Sequence, residues 1–353
     1  MKKTARNIYL GFILFLMYAP IATLVVLSFN SSKSRSKWGG FTLKWYSSLF
    51  QDDAIMSALY NTLAIAFLSA LIATIIGTCA SLGITAMKAK WRTVIMGITN
   101  IPVLNSDIVT GISLMLLFIA FRFTLGFSTI LIAHITFNIP YAILSVMPKL
   151  KQTNKSTYEA ARDLGAGPFQ AFMKVVFPDI LPGVLSGFLM TFTMSLDDFI
   201  ITHFTKGPGV DTLSTKIYSE VRKGIRPEMY ALSTLIFLSV MVIMILMITT
   251  TKETDSKKAG STSKDFKRKR KIPWHQVIPA GFILLIAVTG LVHHVRTTGS
   301  VSEEQVIVYN WGEYIDPDVL DIFEEETGIQ VIYEEYETNE IMYPKILSGA
   351  IAY

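Results

Sequence analysis

Seven stretches of this chain are long and apolar enough to cross a lipid bilayer, and they limit its fold more than any other feature. A span needs about 20 mostly apolar residues, because the hydrocarbon core offers no water to satisfy free backbone groups. The candidates are residues 8–29, 59–86, 94–121, 127–148, 183–205, 229–250 and 275–295. At 51% hydrophobic, 17% charged and a mean hydropathy of +0.45, the chain is too apolar for an ordinary soluble domain. The third stretch contains Pro102 and Asn105. A proline there removes a backbone donor, so a kink or a short re-entrant segment is expected. Cys79, the only cysteine, lies inside the second stretch. That excludes an intrachain disulfide and argues against a thiolate metal site.

Basic residues orient the spans, because cytoplasmic loops carry an excess of Lys and Arg. With the N-terminus inside, the inner segments hold Lys2, Lys3 and Arg6, then Lys88, Lys90 and Arg92, then Lys149, Lys151, Lys155, Arg162 and Lys174. The outer loops are not free of positive charge, since Lys33, Arg35, Lys37 and Lys44 lie in 30–58. The run KRKRK at 267–271, next to the seventh stretch, decides for an inside N-terminus.

Charge then divides the chain. Residues 301–353 carry 13 acidic side chains against Lys345 alone, a net of −12 that leaves +17 on the first 300 residues. So sharp a change marks a domain boundary. Residues 1–250 read as a six-span domain with both ends inside, and 251–274 as a basic cytoplasmic linker. Residues 275–296 read as a seventh membrane anchor. A basic flank before an apolar core also describes a signal peptide, but no small-x-small cleavage site stands near His293, His294, Val295 and Arg296. Residues 301–353 alternate differently. A strand is expected over 305–310, then a helix opened by Asp316 and Pro317 and closed by Gly328. A second strand over 329–333 and a helix over 339–347 complete a β-α-β-α order, the opening of an α/β lobe. About 50 residues are too few to fold alone without a metal or disulfide. The expectation is therefore a chain cut off within its second domain.

Three groups of residues carry candidate chemistry. Asp107 lies near the start of the third stretch, and Asp197 and Asp198 lie in the fifth, within SLDDF. An ionised Asp at the bilayer centre costs about 2.5–3.5 kcal/mol, so such residues usually face a bundle interior or a water-filled path. Adjacent helical residues point about 100° apart, so Asp197 and Asp198 cannot share a face. One is free to line a pathway while the other pairs with a neighbour or caps a broken helix. Polar contacts within the bundle are the simpler alternative. The second group is Trp311, Glu313 and Tyr314, just past the first expected strand of the acidic segment. Ligands bind at strand C-terminal ends in open α/β lobes, and aromatic faces with a carboxylate suit an amine. Packing of Trp311 and Tyr314 beneath a loop remains open. The third group is the segment EAARDLGAGPFQAFMKVVFP at 159–178, between two apolar stretches. Here Glu159 is expected to cap or salt-bridge at the start of a short helix. Gly165 permits a sharp turn where a side chain would clash. Pro168 would start the next helical segment, and Pro178 and Pro182 would separate it from the fifth span.

Glu159-Ala160-Ala161, Gly165 and Val175-x-Phe177-Pro178 follow the pattern E-A-A-x3-G-x9-I-x-L-P, with Val for Ile and Phe for Leu. That segment resembles the cytoplasmic coupling loop of ATP-binding-cassette (ABC) importer permeases. The resemblance implies a helix that docks into a groove on a separate ATPase dimer; a plain amphipathic interfacial helix is the alternative. Residues 1–250, with SLDDF and the GPGVDTLSTKIY that follows, resemble the polyamine permease subunits of such importers. Residues 308–346 resemble the start of spermidine/putrescine-binding proteins, which implies ligand contacts at Trp311, Glu313 and Tyr314. The fold expected is an all-α membrane protein: a six-helix ABC importer permease bundle and a seventh anchor helix, followed by a truncated α/β periplasmic-binding-protein lobe. The partners implied are the ATPase dimer, a second permease subunit, a polyamine ligand and the bilayer of a bacterial inner membrane, but not nucleic acid. A different small cationic or zwitterionic cargo, or a membrane-anchored solute receptor, are the rival readings. The chain has no G-x4-G-K-[S/T], so ATP hydrolysis is expected from the partner, and neither a cofactor nor a metal is expected.

Overall fold

A computed structural model describes residues 2–32, 36–223, 225–235, 237, 238, 241, 305–311, 315, 317–336 and 339–347. The chain forms two compact units. One contains the described residues of 1–57 and 216–241; the other contains Ala58–Thr215 and the described part of the acidic segment.

Among the described residues, four helices are long and apolar enough to span a membrane: Arg6–Ser28, Ala54–Ala86, Phe127–Gln152 and Pro168–Asp197. They match the first, second, fourth and fifth stretches. The third stretch is a bent pair, α4 (Ala89–Leu104) and α5 (Asp107–Ala120), whose axes turn by 102°. The interruption expected around Pro102 and Asn105 is found, and the break falls at Asn105 and Ser106. Pro102 itself stays helical, and the residue that leaves the helix is Asn105, extended at ψ 154°. Most of the sixth stretch and all of the seventh lie outside the described residues, though 227–235 is helical.

In the first unit, α1 (Lys2–Ser28) buries none of its apolar window within the chain. The loop after it is organised by Asn30, whose side-chain oxygen accepts from the Gly39 amide at 2.8 Å while its Nδ2 donates to the Lys37 carbonyl at 2.9 Å. Buried Trp45 of α2 (Lys44–Gln51) donates its indole N–H to the Asn30 carbonyl at 2.7 Å. Further on, Arg226 makes a two-pronged contact with buried Glu220, at 2.7 and 3.1 Å, and lies 3.5 Å from Asp52. Burial alone would lower the Arg226 pKa; the bonds to Glu220 and the charge of Asp52 outweigh it and raise the value, so the guanidinium keeps its charge.

The second unit packs α3 (Asp53–Ala86), α6 (Phe127–Gln152) and α9 (Phe177–Asp197) together through small residues. A side chain on Gly77 would meet the Ala142 Cβ at 2.6 Å, and one on Gly183 would meet Lys149 at 2.8 Å. Such close approach of backbones is how helices associate in lipid, where burial gives no net drive. Helices α3 and α6 run parallel, since Gly77 faces Ala142 and Thr85 reaches Met147 five residues further along. Helix α5 sits on the short helix α10 (Ile200–Thr205), with Gly111 against Phe204 and the backbone at Ile200 and Ile201. Leu114, Phe118, Leu125, Ala133 and Ile201 form the apolar core there.

The acidic segment forms the expected order. Strand β1 (Gln305–Trp311) pairs in parallel with β2 (Gln330–Tyr336), and α12 (Pro317–Thr327) connects them. Gly328 ends that helix at φ +71°, its amide bonded to the Glu324 carbonyl. Helix α13 (Asn339–Leu347) follows β2. Asp316 lies outside the described residues.

Candidate functional site

The loop between α6 and α9 begins with α7 (Lys155–Asp163). Asn154 caps it, its side-chain oxygen accepting from the Ser156 amide at 3.1 Å. Glu159, expected to cap or pair at the start, instead lies mid-helix and exposed, because the helix begins four residues before it. At the other end the Gly165 amide bonds to the Arg162 carbonyl and the Ala166 amide to the Ala161 carbonyl. This pair of bonds closes the last turn and requires a left-handed residue, which Gly165 supplies at φ +88°. The requirement is one of backbone conformation. A Cβ on Gly165 would meet nothing within 4 Å, so the crowding expected there is absent within this chain. Leu164 and Phe169, on either side of this turn, are 90% and 77% exposed. The loop thus presents a capped helix flanked by two large exposed apolar side chains.

Pro168 starts α8 (Pro168–Ala171), as expected. Pro178 and Pro182 do not separate the loop from the fifth span. The helix continues from Pro168 to Asp197 through one π turn, Phe172–Val176. The Phe177 amide reaches back five residues to the Phe172 carbonyl. A widened turn directly before Pro178 makes room for a ring that lacks an N–H, so the chain keeps its helical path.

Helix α9 ends at Asp197, and Asp198 takes an extended conformation at ψ 124°. Its carboxylate accepts from the Thr202 amide at 2.8 Å, the Thr202 hydroxyl at 2.9 Å and the Ile201 amide at 3.3 Å, closing the start of α10. Asp198 therefore takes the capping role that one of the two acids was expected to have. Asp197 remains exposed on the last turn of α9. Asp107, exposed in the first turn of α5, lies one turn from Gly111, which touches Ile200 and Ile201. The helix that follows the break in the third stretch therefore packs on the helix that follows the break in the fifth.

Sequence reasoning missed the residue that joins this region. His134 of α6 is fully buried. Its Nδ1 hydrogen-bonds to Ser195 of α9, and its Nε2 lies 2.9 Å from the Thr202 hydroxyl and 3.4 Å from Asp198. Ser195 in turn lies 3.0 Å from Ser69 of α3. The available signal was a lone ionisable residue in an apolar run, ILIAHITF. Trp311 stands at the end of β1, 54% exposed, while Glu313 and Tyr314 lie outside the described residues. Among the described residues no cluster of His, Cys, Asp and Glu could hold a metal.

Several spans, the third and fifth broken beside acids, with an exposed capped helix between the fourth and the fifth, describe a helical membrane protein. Residues 77–252 match the family described as binding-protein-dependent transport system inner membrane component. The chain is 37% identical over 229 residues to the spermidine/putrescine transport system permease protein PotC of Escherichia coli, covering 65% of this chain and 87% of that protein. It is 40% identical over 227 residues to the putrescine transport system permease protein PotI of the same organism, covering 62% and 81%. A crystal structure of a bacterial ABC transporter involved in import of the acidic polysaccharide alginate shares the fold. Its TM-score is 0.55 at 18% identity, over 72% of this chain and 98% of that one. The chain belongs to the inner membrane component family of binding-protein-dependent transport systems, and is a multi-pass permease of an ABC importer.

Proposed function

We propose that this permease imports polyamines, with spermidine and putrescine as substrates. The observation that carries this reading is the 37–40% identity to two permeases named for those amines, spread over more than four-fifths of each. The acids at the helix breaks support it. Asp107 and Asp197 are exposed carboxylates beside two interruptions, where a polycation in transit would need its charge offset. In this reading Glu159, Ala160, Ala161, Gly165 and Pro178 belong to the loop that engages an ATPase dimer, with Leu164 and Phe169 entering its groove. A second permease subunit completes the channel. The N-terminus is cytoplasmic. Residues 301–353 lie outside the cell as the start of a fused substrate-binding domain, with Trp311, Glu313 and Tyr314 at its ligand. The β-α-β-α order of the described residues there supports that assignment.

Uptake of labelled spermidine by cells that lack their own polyamine importers tests the reading. The full chain, expressed with its ATPase, its partner permease and the capture component of that system, should restore ATP-dependent accumulation, and unlabelled putrescine should compete. Accumulation of another cationic solute with no effect of either amine would refute the substrate assignment.

A further inference from the structure

We propose that His134 is a positioning residue for transport: it holds the α9–α10 break in the geometry that aims Asp197 at the substrate path, and it ties that geometry to α3. The proposal rests on Asp197 being a pathway acid, as argued above.

The break lies between Ser195, three residues before Asp198, and Thr202, four residues after it. His134 contacts both, one with each ring nitrogen. The Thr202 hydroxyl already donates to Asp198, so it can offer only a lone pair to the ring, and Nε2 must be the donor. Asp198, 3.4 Å from the same nitrogen, is also an acceptor. One ring therefore fixes the end of α9 through Ser195 and the start of α10 through Thr202. The line continues from Ser195 to Ser69 on α3. Ser69, His134 and Thr202 are wholly buried and Ser195 is 3% exposed. In an apolar bundle such a line persists only if every polar member is satisfied.

Asp197 is the last residue of α9, directly before the break. Slippage of that final turn by one residue would rotate the carboxylate by about 100° and turn it from the path. A ring clamped on both sides of the break prevents this. His134 itself has no exposed surface and touches no substrate. Its effect should fall on the rate of passage, not on capture.

The test measures spermidine uptake by the full chain with its partner subunits, at membrane levels matched by immunoblot. The variants are His134→Leu, His134→Gln, Asp197→Asn and the double variant His134→Leu/Asp197→Asn. His134→Leu should lower the maximal rate about tenfold or more while moving KM less than about threefold. His134→Gln, which keeps a donor toward Thr202, should recover much of that rate. The double variant should be no slower than Asp197→Asn alone, because both changes disable one device. Wild-type uptake by His134→Leu beside a defective Asp197→Asn would overturn the role of His134 and spare the pathway reading. Losses that multiply in the double variant, with no recovery by Gln, would also overturn it, since they describe a residue needed only for packing. Normal uptake by Asp197→Asn would remove the pathway reading and this inference with it. If His134→Leu fails to accumulate, Thr202→Val cuts the same line while keeping the side-chain shape, and the same non-multiplying loss is expected.

Discussion

Gly165 shows how one backbone angle closes the turn that ends α7. At φ +88° with open space around it, the position resists substitution for a conformational reason. Any L side chain there costs about 1–2 kcal/mol in the left-handed region. Gly165→Ala should loosen the α7 cap and reduce uptake and coupled ATPase activity together. Gly165→Arg, which adds bulk at the docking face, should abolish both while leaving the chain in the membrane. Uptake intact in Gly165→Arg would remove α7 from the coupling role. Gly207 is constrained for a different reason. Its Cβ would run into the Leu125 carbonyl oxygen, a backbone atom rather than the end of a flexible side chain. Gly207→Ala should therefore lower the thermal midpoint of the purified permease. An unchanged midpoint in Gly207→Ala would show that the α5–α6 loop has room to yield.

Helices α3 and α6 share more than a close contact. Asn138 of α6 is fully buried, and neither polar atom of its side chain has a hydrogen-bond partner among the described residues. The hydroxyls of Thr74 and Thr78 on α3 are unpartnered in the same sense. Each unsatisfied buried group costs about 1–3 kcal/mol. Asn138→Leu, of similar volume, should raise the thermal midpoint in detergent, and a clear fall would show that the amide has a role not visible in these contacts. At this scale the sequence was uneven in what it disclosed. The first, second, fourth and fifth spans were legible because lipid demands long apolar runs, and the break in the third because Pro102 and Asn105 interrupt its apolar run. The unbroken run through Pro178 was hidden, since a π turn can absorb a proline and leaves no sign in composition. For Asp197 and Asp198 a capping role was legible, but not which acid takes it, because that depends on where α9 stops. His134 was missed because its partners lie 61 and 68 residues away, and no local pattern links them.

Across the whole molecule, orientation is the property that most needs measurement. Single cysteines, placed in a Cys79→Ala background, can be probed with a membrane-impermeant maleimide. Ser156→Cys on α7 should label only after the membrane is opened, and Ser302→Cys should label in intact cells. The reverse pattern would invert the topology and place the coupling loop on the wrong side for an ATPase. The same loop carries a consequence for how the protein is made. In the proposed topology, Leu164 and Phe169 stand exposed beside the α7 turn, and a subunit synthesised in excess of its ATPase would show them to the cytoplasm. Such side chains are what chaperones and quality-control proteases recognise. Supply of the ATPase should therefore set how many copies of this permease survive, and the docking helix would act as a counter of assembled complexes.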